Sequence, residues 1–126
     1  MAKEKQSDRR LAELNKRNLS RANMTQQKLT GANLTRANMR GTNLSNSDLA
    51  SANLCEANLI EANLSHTNLI DAKLLRAVLN GADFTQADVT GADLRNTDLS
   101  TVKGLTLQQL ATAKVNENTR LPRAFK

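Results

Sequence analysis

The sequence predicts an all-β protein, a square parallel solenoid whose sides are each five residues long. Three observations carry this. An apolar residue falls at every fifth position from Leu14 to Leu99 without a miss. A small residue stands two positions before it, most often Ala, with Asn or Asp between them. The chain also repeats whole words, as in Glu56-Ala57-Asn58-Leu59 followed at once by Glu61-Ala62-Asn63-Leu64. Internal repetition of this kind outranks local propensity, because one unit cannot bury its apolar face alone and must stack on its neighbours.

Residues 1–21 form the first segment, a basic N-terminal helix or cap. "SDRRLAELNKR" offers Ser7 or Asp8 as an N-cap, then Leu11 and Leu14 on one helical face with charges elsewhere. A solenoid exposes unpaired backbone at its ends, so a covering element is expected there.

Residues 22–103 form the repeat. Positions two apart on an extended segment face the same way, so the small residue and the apolar centre point inward while the Asn or Asp between them points out. The next two residues, often Ser, Thr or Gly, suit a corner. Each unit is one short side plus a turn, and four units close a coil of about 20 residues in which the centres stack into a narrow aliphatic column. Only a small side chain fits beside each centre near the corner of so thin a tube. A helix fails the same test, since a period of five turns the apolar position by about 140° per repeat and leaves no stripe.

Residues 104–126 form the last segment. "LTLQQLATA" reads as a short helix capped by Thr106, with Gln109 three positions on completing a capping box and Leu107, Leu110 and Ala111 turned inward. The tail "NENTRLPRAFK" reads as extended, with Pro122 barring helix.

The pattern A-(N/D)-L-x-x, written here as "GANLTRANMRGTNL" and "GADFTQADVTGADLRNTDLS", resembles the pentapeptide-repeat family over residues 22–103. The resemblance implies a right-handed quadrilateral β-helix, and the length of the repeat and its flanks make it about four coils with short helical caps at both termini. Departures fall where the coil begins and ends. Arg17 and Gln27 occupy the small inward position, and Val102 followed by Gly104 breaks the register, so the first coil is expected to be irregular.

Composition narrows the function. Apolar residues make up 39% and aromatic residues 2% of the chain, which excludes a core of large rings. Cys55 is the single cysteine, so no intrachain disulfide forms, and the charged start "MAKEKQSDRR" lacks the apolar run of a signal peptide. No membrane span is expected, and the cytoplasm is the expected location. Cys55 and His66, the sole Cys and His, fall two sides apart, which excludes a nucleophile–base dyad and leaves His66 a solvated corner residue. A lone His holds no metal without partners. No catalytic residue, cofactor or metal ligand is expected.

The outward charges read as ladders between coils, with Arg36, Glu56 and Arg76 in one column and Asp93 above Lys73. Some relatives of this family resemble DNA in shape and charge and protect topoisomerases. That activity requires a strongly acidic surface. Here residues 22–103 carry seven Lys/Arg against eight Asp/Glu and both ends are basic, which disfavours it. Lys3, Lys5, Arg9, Arg10, Lys16, Arg17 and Arg21 could meet nucleic acid, yet no outward aromatic accompanies them to stack on bases. The better signal is apolar. Cys55, Ile60, Ile70 and Leu75 each follow a centre where a polar residue is usual, and Val78 replaces the Asn. These five form the candidate interaction patch of a non-catalytic protein-binding or scaffolding module, for a protein partner or self-association.

Overall fold

A computed structural model describes residues 13–125. Parallel backbone bridges join residues 20 apart: Glu13 to Asn33, Asn18 to Asn38, Asn23 to Asn43, Lys28 to Asp48, and onward to Asp83 with Lys103. Turns separate the bridges at every fifth residue, so each coil has four sides. In the third coil the first side is 52–54, the second 57–59, the third 62–64 and the fourth 67–69. The same side in the next coil lies 20 residues on.

The five-residue unit works because it satisfies every backbone N–H within so little chain. Around Leu59, the Ala57 N–H closes the turn on Leu54 O at 3.1 Å and the Asn58 N–H donates back to Ala37 O at 2.9 Å. Leu59 and Glu61 donate forward, to Val78 O at 2.7 Å and Asn80 O at 2.8 Å. The fifth N–H, of Ile60, faces no neighbouring carbonyl and donates to Asn58 Oδ1 at 3.0 Å. That bond explains the repeated Asn or Asp. The side chain is outward, and it folds over the corner to accept from the residue two ahead, the geometry of an Asx turn.

Each corner turns through a left-handed residue. Every fifth position from Lys16 to Asn96 has positive φ, at 61° for Glu56 and 57° for Arg76. Four of these positions are Gly, but the rest carry side chains in a region that costs on the order of 1 kcal/mol or more, held there by the ladders on either side. Inside, the centres from Leu29 to Leu99 and the alanines beside them are almost wholly buried. Thr67 takes an alanine's place because its hydroxyl donates to Leu64 O at 2.7 Å, and among the described residues no buried side-chain polar atom is left without a partner.

The N-terminal helix expectation falls partly on residues 1–12, which lie outside the described residues. From Glu13 the chain is coil, not helix. Glu13 bridges Asn33, the Leu14 N–H donates to Asn33 O at 2.9 Å and Lys16 already sits at φ 60°. The repeat's centre position at Leu14 wins over the amphipathic pattern. Nor is the first coil irregular in register. The Gln27 N–H donates to Ser47 Oγ at 2.9 Å and that hydroxyl donates to Met24 O at 2.7 Å, so one serine relays the bond that closes the turn. Arg17 is exposed.

At the other end helix α1 spans Leu107–Ala111. Thr106 and Gln109 form the expected capping box, and Gln109 Nε2 also donates to Phe84 O and Ala87 O at 2.9 Å, of which Ala87 O is the carbonyl that a further regular coil would have met. Only Leu110 turns inward. Leu107 is 62% exposed and Ala111 is exposed too, because a single helical turn presents one residue to the tube. Leu105, not Gly104, takes the buried place after the register breaks. Parallel pairing resumes with Asp93 to Lys114 and Asp98 to Arg120, spacings that absorb one and then two extra residues. Pro122 does not bar helix. It precedes a 3₁₀ turn, Arg123–Phe125, where its fixed φ is compatible and its missing N–H costs nothing.

The corner bond is testable. Asn68→Ala removes the acceptor for the Ile70 N–H, which lies 3.0 Å from Asn68 Oδ1, and is expected to lower unfolding free energy by about 1 kcal/mol. Asn68→Asp keeps the acceptor and leaves stability nearly unchanged. Thermal or urea unfolding followed by circular dichroism distinguishes the two.

Candidate interaction face

The second side collects four of the five outward apolar residues. Cys55 and Leu75 occupy one column at the corner that precedes it, Ile60 stands at the corner that follows it, and Val78 lies on the side itself, above Asn58. Cys55, Ile60 and Leu75 are half-buried, and Val78 is 41% exposed. Ile70 lies elsewhere, at the corner between the fourth and first sides, with Ala50 and Thr90 in its column. Lys73 on the first side stands between it and Leu75.

Val78 also marks a break in the backbone pairing. The second side bridges Asn18–Asn38, Asn38–Asn58 and Asn58–Val78, but no bridge joins Val78 to Asp98. Lys73 and Val78 lack the side-chain oxygen that Asn or Asp supplies. The Leu75 and Asn80 N–H groups therefore lose their corner bonds, and among the described residues Arg76 and Leu79 also donate to no acceptor. Apolar surface and free donors coincide on this one stretch, 75–80. The substitution of Val for Asn was visible in the sequence, but without the corner bond its backbone consequence was not.

The charges arrange themselves differently from simple ladders. Arg36 reaches Glu56 at 3.2 Å, as expected, and Arg40 reaches Glu61 at 3.5 Å. These exposed pairs contribute about 0–1 kcal/mol each. Glu56 makes no ion pair with Arg76 among the described residues. Asp93 pairs with Arg95 rather than Lys73, through Nε–Oδ1 at 2.8 Å and Nη2–Oδ2 at 2.7 Å. The corner geometry aims its carboxylate at the residue two ahead.

Hydrogen bonds across these corners hold three carboxyls below their ordinary range: from Arg95 to Asp93, from the Thr85 hydroxyl and N–H to Asp83, and from Ser100 to Asp98. Cys55 and His66 sit at corners two sides apart, and His66 is exposed at φ 57°. Among the described residues no three His, Cys, Asp or Glu side chains group as metal ligands, and no helix is long and apolar enough to cross a membrane. A shallow cleft of about 550 Å³ lies at the C-terminal end, lined by Ser100, Thr101, Thr119, Arg120, Leu121 and Arg123.

The sequence pattern described as Pentapeptide repeats matches residues 18–54, 37–74 and 62–100 in eight copies. The chain belongs to the pentapeptide-repeat family. No curated protein matches it. Among solved structures, this pentapeptide-repeat chain is similar to Rfr23, a pentapeptide repeat protein of the cyanobacterium Cyanothece 51142. The two are 27% identical with a TM-score of 0.47, over 96% of this chain and 99% of that one. It is also similar to alr5209, a pentapeptide repeat protein from Nostoc Pcc 7120, at 27% identity and TM-score 0.38, over 92% and 95%. QnrB1, described as a plasmid-mediated fluoroquinolone resistance protein, is 17% identical with a TM-score of 0.47, over 90% of this chain and 58% of QnrB1.

The corner carboxylates give the pentapeptide-repeat tube an acid limb. A depressed folded pKa contributes stability that is present above the ordinary carboxylate value of 3.8 and is lost as pH falls through the folded value. The melting temperature is expected to be flat from neutral pH to about pH 5 and to fall below about pH 4. Asp83→Asn, Asp93→Asn and Asp98→Asn together keep the acceptors and flatten that fall, as melts across a pH series would reveal.

Proposed function

We propose that this protein is a non-catalytic interaction module, a rigid right-handed solenoid of about four coils, that docks a protein partner or a second copy through its second side. The observation that carries the reading is Val78. It is 41% exposed, it has Leu75, Cys55 and Ile60 around it, and it replaces a residue whose side chain would have stabilised the corner. An apolar residue that weakens its own scaffold and faces solvent is best accounted for by a contact it makes with something else. Ile70, one side away, extends the surface toward the first side. We place the module in the cytoplasm, where the half-buried Cys55 thiol stays reduced.

Mimicry of DNA has less support. Asp48, Asp71, Asp83 and Asp88 lie on the third and fourth sides and their corners, but Asn68 and His66 interrupt them and Lys28 and Lys103 bound them at either end. They form no acidic strip along the tube.

The test is a pair of variants in the full chain. Leu75→Asp with Ile60→Asp is expected to preserve the circular-dichroism spectrum and to abolish self-association in sedimentation or recovery of the wild type's partner. Val78→Asn supplies the missing acceptor. It is expected to raise unfolding free energy by about 1 kcal/mol while weakening the same contact. Unchanged sedimentation and unchanged partner recovery in both variants would refute the proposal.

A further inference from the structure

The charge of the chain is segregated along the solenoid axis. Residues 13–47 carry six Lys/Arg and one acid, and residues 48–93 carry two Lys/Arg and seven acids. The 20-residue stacking turns this linear order into layers, so the first two coils are basic and the middle coils acidic.

The basic residues also converge on one face. The second side and its two corners span 15–21 in the first coil and 35–41 in the second, which brings Lys16, Arg17, Arg21, Arg36 and Arg40 together. Arg36 and Arg40 are neutralised by Glu56 and Glu61 from the third coil. Among the described residues no carboxylate lies within ion-pair distance of Lys16, Arg17 or Arg21. Arg21 leans over the second coil, where the absence of a side chain at Gly41 makes room for it: a Cβ there would lie 3.3 Å from Arg21 Cγ. The same face then continues into Cys55, Ile60, Leu75 and Val78, beside the unbonded N–H groups of Leu75, Arg76, Leu79 and Asn80.

We infer that this face binds an acidic, amphipathic segment of a partner protein, its carboxylates on Lys16, Arg17 and Arg21 and its apolar side chains on Leu75, Val78 and Ile60. The inference rests on the second side being the docking surface and adds the chemistry of what docks there. At about 4.8 Å per coil the two halves of the face lie on the order of 10–15 Å apart, a span that about three to five extended residues cover. Three features favour this occupant over the others. A nucleic acid would meet cations in the first two coils but apolar side chains beyond them, and the face carries no aromatic residue for base stacking. A second copy could offer its own acids, Asp48, Asp83 and Asp88, but apart from Ile60 itself Ile70 is the one large apolar residue at the corners of the third and fourth sides that carry them, too little to cover Leu75, Val78 and Ile60. The two kinds of surface adjoin, and that pairing matches an acidic segment with interspersed apolar residues.

The test measures binding of three labelled probes to the full chain by fluorescence anisotropy: a short peptide alternating Glu and Leu, an all-Glu peptide of the same length, and a single-stranded oligonucleotide. The alternating peptide is expected to bind most tightly and to weaken as salt rises. Binding is expected to weaken roughly tenfold or more in the triple variant Lys16→Glu, Arg17→Glu, Arg21→Glu, and likewise in Leu75→Asp. Both variants are checked for an unchanged melt. Tighter binding of the oligonucleotide, or equal binding of the all-Glu peptide that survives Leu75→Asp, overturns the inference. So does a result in which Leu75→Asp with Ile60→Asp loses the native partner while the triple variant keeps it. In that case the docking surface stands and the acidic occupant falls.

Discussion

The constraint on which this molecule depends is that a tube only one side chain wide must satisfy all its backbone within five residues. There is no second layer to shelter an unpaired group. Two N–H groups per unit donate forward to the next coil, one donates back and one closes the turn on the preceding unit. The remaining donor sits at the corner, where no carbonyl reaches it, and an Asn or Asp side chain accepts it. Leucine fills the spine and alanine leaves the corner room to close, but the Asn or Asp completes the hydrogen bonding. A burial argument alone explains two of the three signature residues.

How much of this was legible depends on what each residue's role leaves in the pattern. The buried column announces itself, because Leu at every fifth position has no other economical meaning, and the bridges at 20-residue spacing follow from it. The capping box at Thr106 and Gln109 was equally plain, since both partners are local. The pattern marks the Asn or Asp only as outward and polar, because its function is a bond to a backbone atom two residues ahead, and composition does not separate such a bond from simple exposure. The ends were hardest. Leu14 satisfies both a helical face and the first repeat, and only the pairing partner at Asn33 decides between them. The outward Leu107 and the turn after Pro122 follow from tertiary stacking that no window of sequence contains.

The candidate face stands out as a set of local violations in a very regular object. Three coils of Asn on the second side give way to Val78, two polar corners become Cys55 and Leu75, and the ladder to the next coil lapses at the same place. Sequences that specify a structure consistently break their own rules mainly where something other than folding is served. One departure elsewhere is repaired, where Ser47 carries the bond that Gln27 would otherwise lose, though the Thr30 N–H after Lys28 stays unbonded among the described residues. On the second side no repair is present. The cations of the first two coils border this surface, so scaffold geometry alone sets apolar and charged elements side by side.

The most direct measurement of the central claim is residue-resolved amide hydrogen exchange at neutral pH. The account predicts strong protection not only for centre amides such as Leu59 and Leu64 but also for the corner amides of Ile60 and Ile70, whose acceptors are Asn side chains. It predicts fast exchange at Leu75, Arg76 and Asn80, where those acceptors or the ladder are missing. Rapid exchange at Ile60 and Ile70, or uniform protection through residues 75–80, would contradict it.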